Sequence, residues 1–160
     1  MSKNKKTILI TGAGQGIGQA IAFRFAVDGN NLVIASKDTP SQVKETVEGI
    51  QARGGQALTC DVDVSNAEDL KKIVETAVKH YGALDILVNN TSYPCFKDIF
   101  HTSIEQFDLV MSTSVRAAFI LSQLCFPHLK KAKNPHIINI APPLNFEKEW
   151  LKEYLPFSLG

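Results

Sequence analysis

The segment Ile8-Leu9-Ile10-Thr11-Gly12-Ala13-Gly14-Gln15-Gly16-Ile17-Gly18 constrains this chain more than any other. A short apolar run rich in Ile meets a glycine loop, and a helical pattern follows at once. The order is strand, phosphate loop, helix. The glycines have separate tasks. Gly12 lets the chain turn sharply after the strand. Gly16 removes a side chain where a pyrophosphate must come close, and Gly18 lets the helix pack tightly on the strand. The first turn of the helix offers unpaired N–H groups and partial positive charge to the phosphates. The spacing is T-G-x-x-x-G-x-G, not G-x-G-x-x-G. A plain turn before a helix would satisfy the glycines alone; the strand before them and the amphipathic helix after them favour the phosphate loop.

The rest of the chain alternates in the same way. Strand one covers 7–11. Helix one is predicted over about 15–28, with Ile17, Ile21 and Phe25 making one apolar face and Gly29 at its stop. A buried-type strand covers 32–35. Helix two opens with Thr39 as N-cap, Pro40 at the first helical position and Gln42 three residues after the cap. Val43, Val47 and Ile50 form its stripe, and Gly54-Gly55 end it. Strand three covers 56–60. Ser65 and Glu68 read as a capping box for helix three. Its core face is Leu70, Ile73, Val74, Ala77, Val78 and Tyr81, and Gly82 stops it. Strand four covers 84–88 and runs into Asn89-Asn90. After a loop with Pro94, a long helix starts near Ser103, carries apolar residues on overlapping faces and is expected to end at Pro127. Strand five covers 136–141, and 147–155 has helical composition.

Strict alternation implies an α/β doubly wound (Rossmann-type) parallel sheet with right-handed crossovers and helices on both faces. The strands read as continuous apolar runs, as strands buried on both faces should. About five strands in the order 3-2-1-4-5 are expected, with a dinucleotide across the switch between strands one and four. With 160 residues, a single domain over 1–160 is the natural reading.

Composition excludes several classes. Lys and Arg number 17 against 16 acids, a net charge of +1, so there is no nucleic-acid footprint. Lys3, Lys5 and Lys6 read as a solvated head, and no apolar run follows them that would serve as a signal-peptide core or membrane span. Cys60, Cys95 and Cys125 are widely spaced and odd in number. They form neither a metal pattern nor a disulfide framework, which fits a reducing compartment and a cytoplasmic home by default. The histidines are equally scattered, and no metal is expected.

Three motifs make the chain similar to the short-chain dehydrogenase/reductase family: the glycine loop, Asp63-Val64 after strand three, and Asp85-Ile86-Leu87-Val88-Asn89-Asn90. Within it, the segment from His136 to Asn145, with Pro142-Pro143, resembles the hydroxysteroid dehydrogenase-like branch. The resemblance implies a nicotinamide cofactor and a hydride passed between it and an alcohol or carbonyl, lipid-like in that branch. It implies that the backbone near Thr11, Gly12, Gly16, Ile17 and Gly18 holds the phosphates. Asp63 and Val64 would flank the adenine, and Asn89 would lie on the adenine ribose side. An acid at the end of strand two suits the ribose 2′-OH of NAD and repels a 2′-phosphate. That position falls on Ser36, followed by Lys37. A hydroxyl and a cation suit a 2′-phosphate, so NADP is expected, with Asp38 close enough to oppose it.

The family's reaction needs a tyrosine acid/base, a lysine four residues later, a serine on the substrate oxygen and an asparagine in the long helix. A phenol has a reference pKa of ~10 and is a poor base near neutrality without a neighbouring cation. Here the asparagine position falls on Ser114 and the serine on Ala141 or Pro142. The tyrosine position falls on Phe157, and the lysine past the last residue. Thr91-Ser92 replaces the usual Ala-Gly after Asn90. Tyr154 has Ser158 four residues on, and Lys152 lies on its wrong side. No catalytic residue is therefore assigned, and the chain resembles a C-terminally shortened member. Two functions compete: an NADP-dependent oxidoreductase in truncated or decayed form, and a non-catalytic nucleotide-binding or association module. Exposed apolar residues on the helix from Ser103 would mark self-association.

Overall fold

A computed structural model describes residues 5–141 and residue 147. The segment 148–155 and the positions of Tyr154 and Phe157 lie outside the described residues. Five parallel strands form one sheet in the order β3-β2-β1-β4-β5, the order that the alternation predicts. The strands are β1 (Thr7–Thr11), β2 (Asn31–Ser36), β3 (Gln56–Asp61), β4 (Ile86–Asn89) and β5 (His136–Asn139). The helices are α1 (Gly16–Ala26), α2 (Pro40–Ala52), α3 (Ala67–Tyr81), α4 (Ile104–Val110) and α5 (Ala117–Leu129).

The period of two along each strand splits the core into two layers. Ile8, Ile10, Leu32, Ile34, Ile86 and Val88 point to one face, where Ala22 and Ala26 of α1 and Ile50 of α2 cover them. Leu9, Val33 and Leu87 point to the other, against α3 and α5. β1, β2 and β4 are therefore buried on both faces, and each fully buried Leu or Ile contributes roughly 1.5–3 kcal/mol. The edge strands depart from the expected pattern. β3 is only part-buried and β5 is exposed throughout.

Four local expectations need correction. In α1 the fully buried stripe is Gly18, Ala22 and Ala26; Ile21 and Phe25 of the expected face are partly buried and pack against the same cluster, but Ile17 is 63% exposed. Small residues let α1 approach the sheet closely, and that proximity outweighs the larger apolar side chains beside them. The N-cap of α3 is Asn66, whose side chain accepts from the Glu68 N–H at 2.9 Å; Ser65 instead donates twice to Asp63. Pro127 lies inside α5, which continues to Leu129. Leu121, Cys125 and Leu129 form one buried line, and its last member offsets the single backbone bond that Pro127 removes.

The fourth correction concerns the long helix. It starts as expected, with Ser103 accepting from the Gln106 N–H at 3.2 Å. Its middle turn, Met111–Arg116, is a π-turn, in which the Ala117 N–H reaches back to the Ser112 carbonyl. Ser112 and Thr113 both donate their hydroxyls to the Leu109 carbonyl, at 3.0 and 2.7 Å, and so compete with the backbone ladder. By length and composition alone, the continuous helix Ile104–Leu129 is also apolar enough to cross a membrane, a test that core helices pass too. It packs against α3 and β4, as a helix on a sheet does. Its outer side exposes Ile104, Phe107, Val115, Phe119 and Phe126.

Candidate functional site

The glycine loop is fastened from three sides. The Gly12 N–H donates to the Ala35 carbonyl at 2.7 Å. Asn90 donates its side-chain amide to the carbonyls of Thr11 and Gly12, at 3.0 and 3.1 Å. The Thr11 hydroxyl oxygen accepts the N–H groups of Asn90 and Thr91 at 3.0 and 3.1 Å. From α2, Thr46 donates to the Gly14 carbonyl at 3.0 Å. Asn90 thus acts as the clamp between β4 and the loop, a role its sequence position alone did not reveal.

Gly12 and Gly16 have positive φ, +65° and +59°, which favours glycine. A Cβ at Gly16 would meet nothing within 4 Å, so the loop is open there. A Cβ at Gly18 would lie 2.4 Å from the Gly12 carbonyl oxygen and 2.9 Å from the Ala13 Cα. Gly18 therefore serves the contact of helix with loop, rather than the contact of helix with strand expected of it.

Beside the loop, at the C-terminal ends of β1 and β4, lies a crevice of about 410 Å³. Thr11, Ile17, Asn89, Thr91, Ser114 and Asn139 are among its walls. Asn89 donates to the Asn139 side-chain oxygen at 2.8 Å across the β4–β5 pair. Three buried oxygens around the crevice, Asn89 Oδ1, Thr91 Oγ1 and Ser114 Oγ, have no hydrogen-bond partner. Leaving such a group unpaired costs roughly 1–3 kcal/mol, a cost a ligand or water would relieve. The π-turn places Thr113 and Ser114 in this wall. The run Ser112-Thr113-Ser114 inside an apolar helix was the available signal for that distortion. None of the described residues lining the crevice is Asp, Glu, His, Cys, Lys, Arg or Tyr.

A second cluster forms where β2 and β3 end. Ser36 is buried and its hydroxyl donates to the Asp38 carboxylate, while the Asp38 N–H donates back to Ser36 Oγ at 3.1 Å. Gln15 of the loop donates to the other Asp38 oxygen at 3.0 Å. The Lys37 ammonium sits 2.5 Å from an Asp63 oxygen. That ammonium and two hydrogen bonds from Ser65 hold the Asp63 carboxyl down from 3.8 to about 2. Val64 stands apart: its side chain is buried in the α3 layer, which leaves only its backbone for a ligand. Thr11, Gly12, Gly16, Ile17, Gly18 and Asn89 thus gather at the loop and crevice, and Ser36, Lys37 and Asp63 gather at the strand ends.

A family model described as short chain dehydrogenase matches residues 6–148. The chain belongs to the short-chain dehydrogenase family. Members bind nicotinamide dinucleotides, and the open Gly16, the clamped loop and the unpaired crevice oxygens fit such a group. This short-chain dehydrogenase is 42% identical over 96% of its length to hydroxysteroid dehydrogenase-like protein 2 of Danio rerio, and covers 39% of that protein. It is 41% identical to the Homo sapiens protein of the same name, again over 96% of its own length, and covers 38% of it. The chain therefore spans well under half the length of these relatives.

Among solved structures, a short chain dehydrogenase from Mycobacterium thermoresistibile superposes with a TM-score of 0.87 at 34% identity, over 96% of this chain and 57% of that one. A metagenomic short-chain oxidoreductase in complex with NADP superposes at 0.81 with 26% identity, over 87% of this chain and 63% of that one. The position at which the family resemblance implies an asparagine falls on Ser114, and that at which it implies a serine falls on Ala141 or Pro142, of which Pro142 lies outside the described residues. Ser114 and Ala141 both line the crevice.

Proposed function

We propose that this short-chain dehydrogenase binds a nicotinamide dinucleotide along the loop and crevice, NADP(H) in preference to NAD(H), and that its own described residues do not complete the proton transfer of an alcohol–carbonyl exchange. The observation that carries this reading is the crevice itself. It combines an open glycine cradle with three unpaired buried oxygens, and no described lining residue titrates near neutrality. A bound nicotinamide supplies a hydride acceptor or donor. The loop and α1 start bind phosphate, and the Asn89–Asn139 pair orients the floor. The hydroxyl of Ser36 and the cation of Lys37 favour the 2′-phosphate once released from Asp38 and Asp63, and the NADP complex of one structural neighbour supports the same choice.

A second reading is favoured by the match to hydroxysteroid dehydrogenase-like protein 2: hydride transfer on a lipid-like alcohol or ketone, with acid/base groups from outside the described residues. Titration of the purified chain with NADPH and NADH by nucleotide fluorescence separates the two, with Gly16→Asp as control. Saturable binding that the control loses, with no carbonyl-dependent oxidation of NADPH, is the expected result. Turnover with a ketone would establish the second reading. Absence of binding to either nucleotide would remove both.

A further inference from the structure

The N-terminal ends of the strands carry a second concavity, at the opposite end of the sheet from the crevice. A hollow of about 600 Å³ opens there, where three segments meet: the entry to β1, the α3–β4 turn, and the end of α5 with the turn after it. Lys5 and Lys6 come from the first segment, and Lys131 and Lys133 from the last. β4 pairs with β1 on one side and β5 on the other, which brings together two basic runs from opposite ends of the described chain. Val78, Leu84 and Ala132 give the hollow apolar walls. With the five residues of β1 between them, at ~3.3 Å per residue, hollow and crevice lie on the order of 15 Å apart.

The cations of this hollow are unbalanced. Elsewhere Lys37, Lys44 and Lys72 lie 2.5, 3.7 and 3.6 Å from carboxylate oxygens. Lys5, Lys6, Lys131 and Lys133 have no such partner among the described residues. Asp85 is the single acid among the described lining residues, and one of its oxygens already accepts the Thr7 N–H at 2.8 Å. The carbonyl ends of α3 and α5 lie at this end of the sheet and attract cations, but two helix ends amount to only about one negative charge. Set against that charge and Asp85, the four ammonium groups leave an excess of about +2. The whole chain carries only +1, so composition conceals the concentration.

We propose that this hollow is a binding site for a compact polyanion, a small molecule that bears two or more phosphate groups, held by Lys5, Lys6, Lys131 and Lys133. A membrane or a nucleic acid is met by an extended basic surface. Here the charge is confined to one concave corner of the size that takes a small ligand. Ammonium groups on flexible stems, entering from two segments, meet phosphate oxygens as point charges. The Asn134 amide adds a neutral donor, and the apolar walls leave room for an organic group beside the phosphates. The inference stands apart from the dinucleotide reading of the crevice.

The test is calorimetric titration of sodium tripolyphosphate into the full chain at fixed ionic strength, with thermal unfolding and amide NMR alongside. Saturable binding of one ligand per chain and a raised unfolding midpoint are expected, with shifts centred on Gly82, Ala83 and Asn134. Lys131→Gln/Lys133→Gln should weaken binding by at least about tenfold. Lys71→Gln/Lys72→Gln removes the same charge from the exposed side of α3, away from the hollow, and should change it by less than about twofold. Should the first pair of substitutions unfold the chain, Lys5→Gln/Lys6→Gln removes the other two cations and should weaken binding comparably. Equal weakening in the α3 control would overturn the proposal, since the attraction would then be diffuse. Shifts centred on the glycine loop, with displacement by NADPH, would put the anion in the crevice and overturn it too. So would binding to phosphatidylcholine vesicles that contain phosphatidylserine, without binding of tripolyphosphate, because the lysines would then face a membrane. Absence of any tripolyphosphate binding also removes the site.

Discussion

The two walls of the crevice are built to different standards. On the glycine-loop side, β1 and β2 are buried on both faces, and three separate elements hold the loop backbone. On the far side, β5 is exposed along its whole length, and the helix that flanks the crevice is distorted at Met111–Arg116. Phosphate recognition is a matter of backbone N–H groups and close approach, which a local strand–loop–helix supplies completely. Acid/base chemistry needs specific side chains brought from distant segments, and the described residues of the far wall offer hydroxyls, amides and aliphatic groups. The comparison teaches that one wall is fixed by contacts around a local strand–loop–helix, whereas the other depends on segments brought together from a distance.

The most severe way to break the stronger wall is Gly18→Val. The added side chain would begin 2.4 Å from one backbone atom and 2.9 Å from another, neither of which yields easily. A loss of about 3 kcal/mol in urea unfolding and loss of nucleotide binding are expected. Gly16→Ala meets open space and suffers only the positive-φ penalty, about 1–2 kcal/mol. Equal losses at the two positions would mean that the loop is not clamped as described.

The weaker wall is sharpened by Phe119→Glu. Phe119 is 62% exposed beside Val115 on the outer side of the long helix. An exposed apolar face of that kind favours association between copies of the chain. Sedimentation velocity should find self-association weakened by roughly tenfold in the variant, with the unfolding midpoint unchanged. Unchanged association would remove this helix as the contact.

The smallest effect concerns the Lys37–Asp63 pair. The folded Asp63 carboxyl titrates at about 2 against an ordinary 3.8, so the unfolded chain takes up its proton first as pH falls. The pair's contribution is therefore present above the unfolded value and disappears as pH drops through the folded one. The stability difference between wild type and Asp63→Asn should be constant near neutrality and shrink between those two values. Both side chains are substantially exposed, so the difference should be small and diminished by salt. A difference that grows on acidification would contradict the assigned pair.

The sequence by itself determined what depends on neighbours a few residues apart. The strand runs, the loop glycines, the Thr39–Gln42 cap and the helix start at Ser103 are all of this kind, because backbone sterics and periodicity act locally. Tertiary structure decided the rest. Which face of α1 is buried follows from how near the helix comes to the sheet, and that selects Gly18, Ala22 and Ala26 over Ile17. The part played by Asn90 depends on Thr11, 79 positions away, and the state of Lys37 on Asp63, 26 positions away. Whether Ser36 and Lys37 face a ligand or a carboxylate is likewise a matter of which charges the folded chain brings within a few ångströms. No spacing along the chain encodes that, because electrostatic pairing is set by distance in space.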